Sequence, residues 1–186
     1  MTKPILASAL FLIAGSSGAF AGDHNPAAII PLLKDSKMTL LQGIDYAERL
    51  SGVATSAKFE VEDGKLMLSV YTVPEGLGVE PEGASLTEVS GAASETPFKL
   101  NVEVFSDKEH IARASVHMTL FQLSRLTLKQ VINRALAVRN GAPIDVRNPV
   151  VRNHRAVADV VIADEDGDSS TVSVDLATGR TTIFED

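Results

Sequence analysis

The chain has 186 residues, a formal net charge of −7 at pH 7 and no cysteine. This length suits one ordinary domain or two small units that share a core. The acidic balance makes nucleic acid a poor partner, because such binding relies on neutralising phosphates. Without cysteine the chain can form neither a disulfide nor a lipoprotein anchor.

The first residues predict an export signal. Lys3 precedes an apolar run at residues 5–14, and Ala19-Phe20-Ala21 has the small-x-small form that signal peptidases cut. We therefore expect cleavage after Ala21 and a periplasmic or secreted location. The apolar run is only about ten residues long, whereas a transmembrane helix needs about 20. No stable membrane span is expected after cleavage.

The chain then repeats itself. After a short leading helix predicted from Asn25 to Lys34, the stretch MTLLQGIDYA at residues 38–47 aligns without a gap on LTLKQVINRA at residues 126–135. A match of this kind indicates one helix-plus-sheet unit that has been duplicated.

Both copies carry the signals of a capped amphipathic helix. Thr39 with Gln42, and Thr127 with Gln130, have the spacing of a capping box. Each cap is followed by an apolar stripe, formed by Leu40, Ile44 and Ala47 in the first copy and by Leu128, Ile132 and Ala135 in the second. Gly52 and Gly141 stand where a left-handed helix stop is expected.

Alternating patterns after each helix predict antiparallel strands. The first copy is expected to form a hairpin of residues 57–62 and 65–73, and then a second hairpin of residues 98–105 and 110–120. In the second copy, residues 156–163 and 169–176 are expected to flank an acidic tip at residues 164–168, before a last strand at residues 181–184.

Residues 74–97 differ from the rest, because they are rich in glycine, proline and serine and contain five glutamates but no cation. Aligning residues 102–104 with residues 172–174 leaves about 18 extra residues in the first copy. We interpret residues 74–97 as an inserted loop that either clamps a partner or is simply solvated. The second alternative is favoured, and deletion of the loop is then expected to leave folding intact.

The second copy resembles a PepSY domain. The resemblance rests on the threonine-capped helix at residues 126–132, the stop at Asn140-Gly141, the alternating hairpin and the closing turn VDLATGR at residues 174–180. It covers about 60 residues, and in the first copy only the helix matches. In the closing turn, Asp175 is expected to bind the following amides and Gly179 to supply a positive φ.

The predicted fold class is α+β, with two PepSY-like units, each a capped helix packed on a small antiparallel sheet. The expected divisions are a signal peptide at residues 1–21, a degenerate unit at residues 22–120 with the inserted loop, and a PepSY-like domain at residues 121–186. The sheet residues expected to face the helices are Leu66, Leu68, Val70, Val157, Val161, Val172 and Val174.

The sequence contains no pattern that indicates a catalytic, cofactor-binding or metal-binding residue. His110 and His117 are expected on opposite faces of a strand, and neither they nor His24 and His154 have a ligand spacing. The acidic tip does not fit a calcium loop of the EF-hand type, because its glycine is at the fourth place rather than the sixth.

Basic residues are concentrated between Arg125 and Arg155. They indicate either a surface for an anionic ligand or an exposed helix whose cations face the acidic hairpin next to it. Lys129, Arg134 and Arg139 are spaced by five, which forms no single stripe on a helix and favours the second alternative.

The PepSY resemblance implies a non-catalytic extracytoplasmic module. Such domains occur in the propeptides of secreted metallopeptidases, where they are linked to peptidase inhibition. We therefore expect a protein-interaction module whose partner is another extracytoplasmic protein, of the peptidase class, bound through a strand edge or the inserted loop. The alternative is an envelope sensor that binds a small ligand or a metal ion through the acidic tip or the basic helix.

Overall fold

The computed structural model describes residues 25–73 and 85–185. The expected signal peptide with its cleavage site, and residues 74–84 of the expected loop, lie outside the described residues. The described residues form four helices and one nine-stranded antiparallel sheet. The fold is therefore α+β, as the sequence predicts.

The elements follow one another along the chain in two similar runs. The first run consists of α1 (Pro26–Leu33), α2 (Leu40–Ser51), β1 (Val53–Glu62), β2 (Lys65–Val73), β3 (Leu86–Ala92) and β4 (Asn101–Phe105). The second consists of α3 (Lys108–Gln122), α4 (Leu128–Leu136), β5 (Ala142–Val146), β6 (Val150–Arg152), β7 (Arg155–Ala163), β8 (Ser169–Asp175) and β9 (Thr181–Glu185).

The two runs share one sheet, whose order is β4-β3-β2-β1-β5-β7-β8-β9, with β6 paired to β7. β1 and β5 join the halves through the partners Ala57 with Val146 and Lys58 with Asp145. One row of cross-strand partners spans eight strands and consists of Val102, Val89, Val70, Ala57, Val146, Val160, Val172 and Ile183. Cross-strand partners lie on the same face of a sheet, so this row defines a single apolar face.

Helices cover this apolar face. α1 and α2 pack on β1 and β2, and α4 packs on β5, β7 and β8. The predicted stripes of α2 and α4 are fully buried there, together with Leu66, Leu68 and Val70 of β2. Burial of the two stripes on one continuous sheet gives the molecule a common core.

Both capping boxes are present. Thr39 accepts a hydrogen bond from the Gln42 amide at 3.2 Å, and the Gln42 side chain accepts one from the Thr39 amide at 2.8 Å. Thr127 and Gln130 repeat the pattern at 3.3 and 2.9 Å. Gly52 caps α2 at a φ of 109°, but α4 ends at Leu136, so the predicted helix stop at Gly141 is wrong.

Equivalent hydrogen bonds relate the two halves. The Lys37 amide donates to the Ala93 carbonyl, and the Ala93 amide donates to the Leu66 carbonyl, both at 2.8 Å. In the second half the Arg125 amide donates to the Leu176 carbonyl at 3.4 Å, and the Leu176 amide donates to the Ala156 carbonyl at 2.8 Å. These bonds make β2 equivalent to β7 and β3 equivalent to β8, each half with a leading helix and a capped helix.

The predicted strand at residues 110–120 is wrong, because these residues belong to the helix α3. Asp107 and its neighbours look like a hairpin turn in the sequence. In the structure, however, the Asp107 carboxylate caps a helix by accepting from the amides of Glu109 and His110 at 3.1 and 3.2 Å. The second hairpin of the first copy is therefore absent, and α3 crosses the expected boundary between residues 120 and 121.

The expected loop at residues 74–97 is also partly wrong, because residues 86–92 form β3 in the interior of the sheet. Its glycine, serine and threonine residues obscure the alternation that marks a strand. The alignment of residues 102–104 with residues 172–174 fails for the same reason, because the edge strand β4 corresponds to β9 rather than to β8.

The prediction of which β7 residues face the helices is wrong. Val157 and Val161 are expected to face the helices, but Val160 is the residue that pairs with Val172, and Ala158 pairs with Val174. Since side chains alternate along a strand, Val157 and Val161 lie on the opposite face. We call this opposite face the outer face.

No helix among the described residues is long and apolar enough to cross a membrane.

Candidate functional site: an acidic cleft and an arginine groove

The outer face of the first half contains an open cleft of about 970 Å³. Its floor consists of polar side chains that alternate with the apolar row on β1 to β4, among them Glu60, Glu62, Tyr71, Glu88 and Glu103. Its walls are α3 and the end of β5. We call this feature the acidic cleft.

Glu60 lies at the centre of the floor and is only 3% exposed. Its carboxylate accepts a hydrogen bond from the Ser69 hydroxyl at 2.8 Å and forms an ion pair with the Lys58 ammonium group, also at 2.8 Å. A buried carboxylate needs such partners because desolvation of an unpaired charge is costly.

The other carboxylates of the floor have fewer cations near them. Burial raises the pKa of Glu88, and the negative charge of Glu60 adds to this rise, whereas hydrogen bonds from Ser69 and Tyr71 oppose it. Burial and the charge of Glu60 likewise raise the pKa of Glu62. The pKa of Tyr71 is also raised, by burial first and then by Glu88. The floor therefore favours a cation that approaches from outside.

One wall is formed by α3. His110 stacks on Phe105 with ring centroids 4.3 Å apart, and its Nδ1 atom lies 2.6 Å from an Asp107 oxygen. His117 also lines the cleft, and burial, assisted by the charge of Arg113, lowers its pKa to about 4. The two histidines are expected on opposite faces of a strand, but their spacing of seven places them on the same side of a helix.

The first half ends at an exposed edge strand. The described residues provide no neighbour for β4 on the side away from β3. Val102 and Val104 are 52% and 59% exposed, while Glu103 faces the acidic cleft from the same strand. An edge of this kind offers a row of backbone groups to an added strand.

The outer face of the second half contains a smaller groove of about 390 Å³. Three arginines line it, namely Arg152, Arg155 and Arg180, and we call it the arginine groove. Arg152 binds Asp159 with two nitrogens, at 3.3 and 2.8 Å, and Arg155 lies 3.8 Å from Asp175. Sequence reasoning missed both the cleft and the groove, because each combines residues from strands that are distant along the chain.

The acidic tip is a structural turn. Asp164 accepts hydrogen bonds from the amides of Asp166 and Asp168 at 3.1 and 2.9 Å, and its other oxygen binds Arg139 at 3.0 Å. Among the described residues no group of three or more acidic or histidine side chains could hold a metal ion.

The basic residues near α4 are spread over several contacts. Arg139 faces the acidic hairpin, as the spacing of the basic residues predicts, whereas Lys129 binds Asp45 and Glu48 of α2 at 2.7 and 2.8 Å. The side chain of Arg134 lies against Gly179. These contacts do not converge on a common anion site.

The closing turn has the predicted geometry. Asp175 accepts hydrogen bonds from the amides of Ala177 and Thr178 at 3.0 and 2.9 Å, and Gly179 has a φ of 71°. The pKa of Asp175 is lowered even though burial, the largest single influence, raises it, because these hydrogen bonds together outweigh the burial.

Two solved structures resemble the chain weakly. One is the crystal structure of a candidate lipoprotein from Clostridium difficile 630, with 16% identity and a TM-score of 0.41, covering 81% of this chain and 95% of that one. The other is the YpmB protein from Bacillus subtilis, with 9% identity and a TM-score of 0.31, covering 77% and 94%. No protein-family model and no curated protein matches the chain. Similarity of this degree assigns neither a family nor a function.

Proposed function

We propose that this protein is a non-catalytic, extracytoplasmic interaction module of the PepSY type that captures an extended segment of another protein by adding it to the sheet beside β4. The observation that carries the proposal is the exposed edge of β4. Addition of a strand to such an edge is a common mode of peptide recognition, in which backbone hydrogen bonds provide affinity and alternate side chains provide specificity.

The two faces of β4 define the chemistry of the segment. On one face Val102 and Val104 are exposed, and on the other Glu103 and the neighbouring Glu88 present carboxylates. A strand paired to β4 places successive side chains on these two faces in turn. The segment is therefore one in which apolar and basic residues alternate.

A peptidase is the class of partner that the PepSY resemblance implies, and an inhibitor would occupy the groove in which the enzyme holds extended substrates. The export signal expected at residues 1–21 agrees with a periplasmic or secreted site of action. Inhibition of a peptidase is tested separately from peptide binding.

The first experiment measures peptide binding at β4. A labelled peptide of alternating valine and lysine is titrated with the protein, and binding is followed by fluorescence anisotropy. We expect the double variant Val102→Lys, Val104→Lys to abolish the binding, because lysines on an edge strand oppose strand addition. A peptide of alternating valine and glutamate should not bind.

The matched control is Val150→Lys with Val151→Lys on β6, where both valines are also exposed. This control should bind the peptide like the unmodified protein. Equal loss of binding in both double variants, or no binding by the unmodified protein, rejects β4 as the site. We also expect the protein to inhibit a peptidase from the native extracytoplasmic fraction in a dose-dependent way. Only the β4 double variant should lose this inhibition.

A second candidate is a sensor of a small cationic ligand, and the acidic cleft is the observation that favours it. The acidic tip and the basic helix are less suited to this purpose, because Asp164 already binds Arg139 and Lys129 already binds Asp45 and Glu48. A thermal melt with spermidine or calcium tests the idea, since a ligand of the native state raises the melting temperature. An unchanged melting temperature with both cations would reject this candidate.

A further inference from the structure

We propose that the outer face of the sheet is a self-association surface, on which two copies of this chain pair about a twofold axis. In this arrangement the acidic cleft of each copy lies against the arginine groove of the other. The partner is a second copy, so the proposal goes beyond the capture of another protein at β4.

The cleft and the groove lie on the same face of the sheet. A second row of cross-strand partners crosses the sheet and consists of Asn101, Ser90, Ser69, Lys58, Asp145, Val161, Thr171 and Phe184. Asn101 and Lys58 line the acidic cleft at one end of this row, and Phe184 lines the arginine groove at the other. Both features therefore open on the side that α1, α2 and α4 leave uncovered, where α3 forms one wall of the cleft.

The acidic cleft has an excess of negative charge. Lys58 pairs with Glu60, and Arg147 pairs with Asp145 at 3.3 Å. Within the described residues, Glu62, Glu88 and Glu103 have no ion pair, although all three line the cleft. Burial first, and then the negative charge of Glu60, raises the pKa values of Glu62 and Glu88.

The arginine groove has an excess of positive charge. Arg180 has no ion pair within the described residues, and Arg155 makes only a long contact of 3.8 Å with Asp175. Arg155 lies beside the exposed turn of the β6–β7 hairpin, in which Asn153 and His154 adopt positive φ angles of 50° and 62°, and Arg180 lies in the turn between β8 and β9.

A twofold axis that lies in the interface, parallel to the strands at the β1–β5 junction, superimposes the first half of one copy on the second half of the other. Such an interface is isologous, so every contact between cleft and groove occurs twice. The net charge of −7 makes copies repel one another in general, and local complementarity of this kind gives specific pairing its orientation.

Sedimentation velocity measures the proposed pairing directly. We expect the protein to dimerise at about 0.05 M NaCl and to dissociate progressively towards about 0.5 M, because salt screens the exposed charges. Glu103→Lys and Arg180→Glu each reverse one exposed charge, on the cleft and the groove respectively. Each variant alone should weaken dimerisation about tenfold or more, since the lost contact occurs twice.

A mixture of the two variants provides the sharpest result. In the mixed dimer the two reversed charges face each other at one contact, and the unmodified Arg180 and Glu103 face each other at the other. Dimerisation should therefore return, as it should in a chain that carries both changes. Glu165→Lys and Arg125→Glu are matched controls, because both residues are exposed and lie outside the cleft and the groove.

A monomer at all concentrations up to about 0.5 mM in low salt would overturn the proposal. So would a dimer that neither reversal weakens, or one that the controls weaken equally. Far-UV circular dichroism of each variant verifies folding. The two proposals are tested by different variants, because Val102→Lys with Val104→Lys alters the opposite side of the edge strand and leaves Glu103 and Arg180 unchanged, so either proposal can fail alone.

Discussion

In each half the capped helix packs on the sheet, but the residues at equivalent contact positions differ. In the first half Gly43 of α2 lies over Leu68 of β2, and a Cβ atom on Gly43 would overlap the Leu68 side chain. The capping boxes and the linking hydrogen bonds make Val131 and Ala158 their equivalents in the second half, and both are fully buried. One half therefore combines a small helix residue with a large strand residue, and the other half does the reverse.

This exchange predicts a strong coupling between Gly43 and Leu68. Gly43→Val should lower the free energy of unfolding by about 1–3 kcal/mol through overpacking, and Leu68→Ala should lower it by about 2–5 kcal/mol through a cavity. The double variant reproduces the pair of the second half, so its loss should be clearly smaller than the sum. Urea denaturation of the four proteins measures this coupling, and simple additivity would contradict it.

His117 predicts a pH dependence of stability. Its pKa is about 4 in the folded protein because burial, assisted by Arg113, disfavours the charged form, and it is about 6.5 in an unfolded chain. The unfolded state therefore binds a proton first, and stability falls as the pH is lowered from about 6.5 to about 4. One proton contributes a slope of at most about 1.4 kcal/mol per pH unit, less here because the ring is partly solvated.

Urea midpoints at several pH values for the protein and for His117→Gln measure this contribution. We expect a flatter profile for the variant between those two pH values. The lowered pKa values of Asp159 and Asp175 act below this window, and the raised values of Glu62 and Glu88 act in the opposite direction. These groups are common to both proteins, so parallel profiles would show that His117 is not responsible.

At the scale of elements, some helices and strands follow from local sequence signals, whereas others form only through tertiary pairing. α2 and α4 follow from their capping boxes and apolar stripes, and the Asp63-Gly64 hairpin follows from its turn residues. β3 has no such local signal. It is a strand because β2 and β4 pair with it on both sides, through partners such as Val70 with Val89 and Val89 with Val102.

The position of β3 reverses the expected effect of deleting residues 74–97. The deletion removes β3 from between β2 and β4, and it uncovers apolar side chains of β2 that are now buried, such as Leu68. We expect the variant to lose its cooperative thermal melt or to melt far below the unmodified protein. A melt close to that of the unmodified protein would restore the interpretation of the whole segment as a solvated insertion.

At the scale of the whole molecule, the continuous sheet joins the two repeats into one core. β1 pairs with β5 across the junction, and Lys129 of α4 binds Asp45 and Glu48 of α2 above it. Buried residues from both halves belong to the same hydrophobic cluster. The repeats are therefore expected to depend on each other for stability, even though each has its own helices and strands.

This dependence predicts a single unfolding transition. Differential scanning calorimetry should give a calorimetric enthalpy equal to the van't Hoff enthalpy, as for one cooperative unit. Lys129→Ala should lower the melting temperature slightly without splitting the transition, because the ion pairs it removes are solvent-exposed. Two separate transitions would show that the halves unfold independently.

The sequence by itself determined the features that depend on neighbouring residues: the α+β class, the duplicated capped helices, the first hairpin and the closing turn at Asp175. Each arises from local hydrogen bonds or from the periodicity of a short segment, and such signals can be read along one stretch of chain. The tertiary structure alone decided that residues 108–122 form a helix, that β3 lies inside the sheet and that both halves share one sheet. It also decided the site, because the acidic cleft and the arginine groove each join side chains from strands far apart in sequence. The cleft and the groove lie on one face of the sheet only because β1 pairs with β5.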